Sequence, residues 1–321
     1  MIRSHGVLAP LVRTAVVLAG VSILAGCQST AEAAPEPSSS PSSSANGRDE
    51  GGSMGDRGDS QTEQANLAAV LKLYTDAFPD PASSTAVATA GEVVAPDAVA
   101  HGSGQTAGPD GLLAEFTSDR ERVPGAQAVV KRTAADGDLV AVHYQVASDP
   151  ADERTGEAAV DLFRVQDGTV VERWSFDQPI ATGTPASGNT NTMFSDLYDP
   201  PKPAVAPSES QEESDRVFAV NAYDTLFRDQ DVSILDTAFD PAYLQHNPVA
   251  PNGTDALRSF FSGSAGFPPQ ESVISLSDGD LVWTFSQSVG AESGDPVLAA
   301  DIFRVDDGLI REHWDVVPTA G

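Results

Sequence analysis

Asp301-Ile302-Phe303-Arg304-Val305-Asp306-Asp307-Gly308-Leu309-Ile310-Arg311-Glu312-His313-Trp314-Asp315 is the stretch that decides the fold. Asp-Gly between two apolar-rich runs predicts a hairpin, because a tight turn needs positive φ and glycine supplies it without a Cβ clash. On the second arm His313 and Asp315 stand two residues apart, so a strand presents both on one face and Trp314 on the other. A near copy lies upstream: Asp161-Leu162-Phe163-Arg164-Val165-Gln166-Asp167-Gly168-Thr169-Val170-Val171-Glu172-Arg173-Trp174-Ser175. The scaffold is duplicated but the ionisable pair is not, since Arg173 stands for His313 and Ser175 for Asp315. A site, if there is one, is expected in the second copy.

The duplication extends outward from this hairpin. Tyr74 and Phe78 match Tyr223 and Phe227, and His101, Gly108, Asp110, Leu112 and Phe116 match His246, Gly253, Asp255, Leu257 and Phe261. Asp136-Gly137-Asp138-Leu139-Val140 matches Asp278-Gly279-Asp280-Leu281-Val282. The pairs keep their order while the spacing between partners shrinks, as expected of a tandem repeat with a few more loop residues in its first copy. Each copy opens with an amphipathic helix (Leu67, Val70, Leu71, Tyr74, Phe78; then Val217, Val220, Tyr223, Leu226, Phe227). A short helix-rich region is expected next, in which Tyr243-Leu244-Gln245-His246-Asn247-Pro248 forms a turn. Thr254 then caps a helix running through Leu257, Phe260 and Phe261. Alternating runs at 272–277, 281–289, 297–305 and 309–317 predict strands. Helices first and strands afterwards define an α+β class, with helices packed on one face of a curved antiparallel sheet.

The N-terminal residues read as an export signal: Arg3 and Arg13, then an apolar run from Thr14 to Leu24. That run falls short of the roughly 20 residues a membrane span needs. It ends in Leu24-Ala25-Gly26-Cys27, which resembles the lipobox of bacterial lipoproteins. The resemblance implies cleavage before Cys27 and acylation of its sulfur, anchoring the body to the extracytoplasmic face of the cell membrane. Cys27 is the single cysteine, so disulfides within the chain are excluded. Ser, Pro, Ala and Gly dominate the residues that follow, with too few apolar side chains to offset ordering entropy. The expected divisions are a signal peptide at 1–26, a disordered tether at 27–60, a first domain at 61–182, a linker at 183–213 and a second domain at 214–321. Within the linker, Met193-Phe194-Ser195-Asp196-Leu197-Tyr198 is apolar enough to dock on a domain. The net charge of −29 disfavours nucleic acid and anionic lipid as partners of the protein surface.

Helix, His-Asn-Pro turn, helix and a strand series closing on Asp-Ile-Phe-Arg-Val-x-Asp-Gly-x-Ile-x-Glu-His-Trp-Asp resemble the SnoaL-like branch of the nuclear transport factor 2-like superfamily. The resemblance implies two tandem cone-shaped domains, each with a sheet curled around a pocket. It implies dimerisation through sheets, which a tandem chain could perform internally as a pseudo-dimer. Cyclase-type relatives carry a pocket carboxylate, usually with a nearby histidine, and need no cofactor or metal. Asp315 is the position that resembles that carboxylate, with His246 and His313 as candidate catalytic neighbours.

Tyr243 and Asn247 are candidate donors to a developing enolate, and Trp283, Phe303 and Trp314 candidate walls for a ligand. Each has a plainer reading. His246 before Asn-Pro suits a structural turn, and His101 persists at the same place in the first copy, where Asp315 has become Ser175. Asp315 reads equally as a strand-end carboxylate bonded to a loop or to His313. The aromatic set suits a core. Arg164 and Arg304 are expected to pair with acids such as Asp161 or Asp301, and Asp177, two residues past Ser175 on the same face, is placed to substitute in part for the carboxylate missing there. His101, His143, His246 and His313 have no metal-ligand spacing, so no metal is expected. Two function classes follow: a lipid-anchored binding protein for a small apolar or carbonyl-containing ligand, or a cofactor-independent acid/base enzyme using Asp315 with His246 or His313.

Overall fold

A computed structural model of the protein describes residues 54–102, 106–201, 206–263, 268–292 and 296–318. The expected signal peptide, Cys27 and most of the tether lie outside the described residues. Helix α1 (Met54–Lys72) already begins inside the stretch expected to be tether.

The first copy runs α1, a π-helical turn at Leu73–Ala77, α2 (Ser84–Val93), β1 (Val94–His101), α3 (Gly108–Arg122), β2 (Gln127–Asp136), β3 (Leu139–Ala147), β4 (Glu157–Gln166) and β5 (Thr169–Pro179). The second runs α4 (Glu209–Phe227), a 3-10 turn at Val232–Asp236, β6 (Phe239–Gln245), α5 (Thr254–Gly263), β7 (Gln270–Asp278), β8 (Leu281–Ser288), β9 (Ala299–Asp306) and β10 (Leu309–Val316). The sheets have the same order, β1-β5-β4-β3-β2 and β6-β10-β9-β8-β7. The α+β class and the duplication hold. The Tyr243-Leu244-Gln245 segment is not a turn, however, but the end of β6, an edge strand parallel to β10 with Gln245 opposite His313. In the first copy β1 is likewise an edge strand parallel to β5, and the other strand pairs are antiparallel.

Both Asp-Gly hairpins form as their sequence dictates. Asp167 and Gly168 have φ of 48° and 76°, and Asp307 and Gly308 have 50° and 71°. Two successive positive φ values make a turn whose twist matches the flanking strands. A bulge follows each turn. In β10, Ile310 faces Val305 but Glu312 faces Arg304, leaving Arg311 unpaired in the ladder. The same slip occurs between Val170 and Glu172 of β5.

Alternation along the strands gives each sheet two buried faces. On the inner faces, helical side chains such as Leu73, Phe78 and Phe116, or Tyr223, Leu226 and Leu257, pack against Val140 and Phe163 or Val282 and Phe303. The outer faces meet in a third core, where Val160, Leu162, Trp174 and Phe176 of the first copy join Trp283, Phe285, Ile302, Trp314 and Val316 of the second. A local two-fold relation shows at the edges of β2 and β7. Ala135 N donates to Asp278 Oδ2 and Ser277 N to Asp136 Oδ2, each at 3.0 Å.

The segment joining the copies is part of this core. Met193 and Phe194 are buried between the sheets. Phe194 O accepts from Arg132 Nη2 at 2.8 Å and Ser195 O from Trp314 Nε1 at 3.0 Å. The 193–198 patch therefore docks on both copies.

Candidate active site

Strand β10 divides its side chains by face, and that division assigns their roles. Glu312 and Trp314 point to the outer face. Ile310, His313 and Asp315 point inward, against the helices. The inner face of the second copy encloses a cavity of about 290 Å³. Its walls are apolar, from Leu226, Phe227, Phe239, Leu257, Phe260, Phe261 and Phe303, and its polar floor holds Tyr243, Gln245, Asn247, Asp301, His313 and Asp315.

The hydrogen bonds fix the histidine tautomer. Gln245 Oε1 accepts from the backbone N–H groups of His246 at 2.8 Å and Asn247 at 3.1 Å, so its amide nitrogen faces His313 Nδ1, 3.2 Å away. Tyr243 Oη lies 2.8 Å from the same Nδ1. With donors on both approaches, Nδ1 is the acceptor and Nε2 carries the hydrogen, which it donates to Asp301 Oδ1 at 3.1 Å. The imidazole also lies flat on Phe303, with ring centroids 4.4 Å apart and planes at 7°.

Asp301 stands directly across the ladder from Asp315. Like charges opposed in this way repel. Asp301 Oδ2 and Asp315 Oδ1 are both buried and have no hydrogen-bond partner among the described residues. Burial pushes the Asp315 carboxyl up to about 6. The Asp301 charge pushes the same way, while His313 and a hydrogen bond from Asn247 pull it back. Ligand atoms of Asp301, His313 and Asp315 lie within 4.8 Å of one another, close enough to share a cation. A metal would have to break the bonds already made at both imidazole nitrogens, so the geometry suits proton transfer better.

The first copy has lost this arrangement. Asp161 faces Ser175 across its ladder, and Tyr74 Oη donates to Asp161 Oδ2 at 2.5 Å. Arg173, in the place of His313, is buried and bonds Glu115 and, at 3.2 Å, Thr106 O. Only about 10 Å³ of cavity remains beside Asp161. Asp177 lines that remnant but does not restore the carboxylate that Ser175 replaces, because its side chain is half exposed and pairs with Arg122 at 3.3 Å.

Three expected site residues belong elsewhere. His246 and Asp315 lie on opposite faces of the sheet. His246 Nε2 is 2.7 Å from Glu312 Oε1, Nδ1 is 2.6 Å from Thr192 O, and the ring stacks on Trp314 at 4.8 Å. His101 makes the matching set, 2.8 Å from Glu172 Oε2 and stacked on Trp174 at 4.3 Å. The constellation is present in both copies and keeps His246 away from the cavity. Trp283 and Trp314 do not line the cavity, since alternation turns both into the core between the sheets. Tyr243, Asn247 and Phe303 do line it. Tyr243 and Asn247 have donors already engaged with His313 and with Gln178 and Asp315. Arg164 and Arg304 pair not with Asp161 or Asp301 but with Glu172 and Glu312, and with Asp138 and Asp280.

The rim of the cavity is held from outside the second copy. Asn189 Nδ2, in the joining segment, faces the carbonyl oxygens of Gln245 at 2.7 Å, Ala250 at 3.0 Å and Asn247 at 3.3 Å. Asn189→Ala should cost about 1–3 kcal/mol by stranding buried carbonyls. Hydrogen exchange should show faster opening of 246–252 while the strand amides stay protected.

The sequence profile of the SnoaL-like domain matches residues 75–173 and 220–313, together more than half of the chain. The chain belongs to the SnoaL-like domain family and carries that domain twice. No curated protein matches it. Among solved structures, IdmH, a candidate polyketide cyclase from Streptomyces antibioticus, is 25% identical, with 35% of this chain and 91% of that chain covered and a TM-score of 0.28. A candidate SnoaL-like polyketide cyclase from Jannaschia sp. CCS1 is 25% identical, with 36% and 87% covered and a TM-score of 0.29. An LEH-like epoxide hydrolase of M. tuberculosis is 18% identical, with 36% and 85% covered and a TM-score of 0.28.

Proposed function

We propose that the second domain binds a small, largely apolar carbonyl compound and moves protons on it without a cofactor, with Asp315 as the acid/base group. The carrying observation is a pair of carboxylates opposed across a ladder, on the floor of an apolar cavity whose counterpart in the first copy is closed. A carboxyl with a pKa of about 6 is populated in both forms near neutrality, as a residue that takes a proton and returns it requires. Asp315 removes a proton from the carbon next to the carbonyl, so that the C–H pair becomes the enolate and the carboxylate becomes the acid. Return of that proton at a second carbon gives isomerisation, and attack of the enolate on a second carbonyl within the substrate, whose oxygen then takes the proton back from Asp315, gives ring closure. The Tyr243–His313–Asp301 chain keeps a carboxylate beside Asp315, and that charge raises its basicity.

In this reading the first domain is a packing partner, the two sheets forming within one chain the kind of dimer that the family resemblance implies. The core between the outer faces supports this. Leu24-Ala25-Gly26-Cys27 supports lipid anchoring through Cys27 on the extracytoplasmic face of the cell membrane.

The test is exchange of α-protons for deuterium in a panel of small cyclic ketones, followed by NMR, with ligand retention measured in parallel by native mass spectrometry. Asp315→Asn should slow exchange about 100-fold or more while leaving retention measurable. Equal rates in wild type and variant, or no ketone retained by either, would overturn the assignment.

A further inference from the structure

Among the described residues, the cavity of the second domain has one lining residue from the first. Gln178 is the penultimate residue of β5, on the same face as Trp174 and Phe176, and this face packs against the other sheet. Its side chain is 8% exposed and reaches the cavity. There its Oε1 accepts two hydrogen bonds, from Asn247 Nδ2 at 3.1 Å and from the backbone N–H of Val317 at 3.0 Å. The first partner lies on the loop after β6 and the second just past the end of β10.

The Asn247 amide cannot easily turn away. It is 3% exposed, and its Oδ1 accepts from Val249 N at 3.1 Å. That leaves two amide hydrogens: one is donated to Gln178, and the other is left for Asp315, whose carboxyl the Asn247 amide pulls down. Gln178 therefore joins Val249 N in holding the Asn247 amide nitrogen on the side of the cavity floor. Through Val317 N it also fixes the strand end two residues beyond Asp315. The second copy offers nothing comparable to the first, because the position matching Gln178 is Pro318, whose side chain has no hydrogen-bonding atom.

We propose that Gln178 is a positioning residue for Asp315, so that the acid/base site of the second domain is completed by the first. This rests on Asp315 being the group that exchanges protons, but it can be tested without turnover. The charged or titratable groups facing Asp315 are Asp301 from β9, His313 from β10, Tyr243 from β6 and Tyr223 from α4. None of them touches Gln178 among the described hydrogen bonds. Their influence should therefore be the same in wild type and variant.

The experiment is a carbon-detected NMR titration of the Asp315 carboxyl in the two-domain chain, in wild type, Gln178→Met, Asn247→Ala and the double variant. Methionine keeps the length and volume of glutamine and removes the acceptor. Gln178→Met should raise the Asp315 midpoint by at least half a pH unit, with the Asn247 side-chain amide signals losing their fixed positions. Asn247→Ala should raise it by as much or more, and Gln178→Met should add nothing on that background, since it acts through the missing amide. An unmoved midpoint in Gln178→Met, or shifts that sum in the double variant, would overturn the proposal. If Gln178→Met fails to fold, Gln178→Glu takes its place: the acceptor survives, the Asn247 amide signals should stay fixed, and the added charge should raise the midpoint. An unmoved midpoint there overturns the proposal equally. Failure of the ketone exchange assay with a normal response here would sink the chemistry and leave the positioning role intact.

Discussion

Glu312→Leu is expected to lower the stability of the protein by about 3–5 kcal/mol, a drop of roughly 10 °C or more in the melting midpoint. Glu312 is fully buried and holds four donors or charged partners at once. Oε1 faces His246 Nε2 at 2.7 Å and accepts from Leu197 N at 2.6 Å, while Oε2 accepts from Arg304 Nη1 at 2.7 Å and Tyr198 N at 3.4 Å. Leucine fills much of the same space and leaves an imidazole, a guanidinium and two backbone N–H groups short of a partner inside the core. The first copy provides the control. Glu172 makes the matching contacts to His101 and Arg164, but its side chain is 32% exposed, so water competes for every bond. Glu172→Leu should cost no more than about 1 kcal/mol. Equal losses from the two substitutions, read from urea unfolding curves, would mean that burial is not what sets the value of the constellation.

Stability should also fall as pH rises from about 4 to 7, the reverse of the usual acid-denaturation slope. Asp315 holds its proton up to about 6 and Asp161 up to about 7, from an ordinary 3.8, and burial is the largest cause for both. Asp119 is displaced the same way, again chiefly by burial. An unfolded chain gives up these protons near pH 4, while the native chain keeps them. The native state therefore binds more protons across the window, and its advantage shrinks as the pH climbs through each native pKa. The shifts correspond to losses of up to roughly 3 kcal/mol for Asp315 and 4 kcal/mol for Asp161. Asp315→Asn should flatten the slope between pH 4 and 6, and Asp161→Asn should flatten it up to 7. Unfolding free energies that increase over the same range would show the carboxylates to be stabilised as anions.

The duplication, the Asp-Gly hairpins and the opening helices could be read from the sequence because each rests on local pattern. What escaped that reading depends on register or on contacts between distant residues. Counting outward from the Asp307-Gly308 turn in strict pairs sets Asp301 opposite Trp314, on the wrong face. The bulge at Arg311 moves it opposite Asp315, and no side chain announces that slip. Another member of the floor, Gln245, was hidden because Phe239-Asp240-Pro241-Ala242-Tyr243-Leu244-Gln245 lacks clean alternation and takes its strand geometry from β10. His313 and Asp315 were correctly placed on one face by period alone. His246 was drawn toward them by its chemistry, whereas its repetition as His101 pointed to the fold. Asn189 and Gln178 act across the junction of the copies, where neither composition nor spacing carries a signal.

The core between the two sheets is unequal as well as shared. Arg132 of the first copy lies over the Trp314 ring, 3.9 Å from its centre, bonds His143 and reaches Asp196. Its counterpart in the second copy is Ile274. In an assembly of two identical subunits every substitution is made twice, so a side chain that closes one hollow closes both. Joining the halves in one polypeptide lifts that restriction. One half is free to become solid and support its neighbour, and the other can keep an empty chamber whose opposed carboxylates a solitary domain would be less able to tolerate.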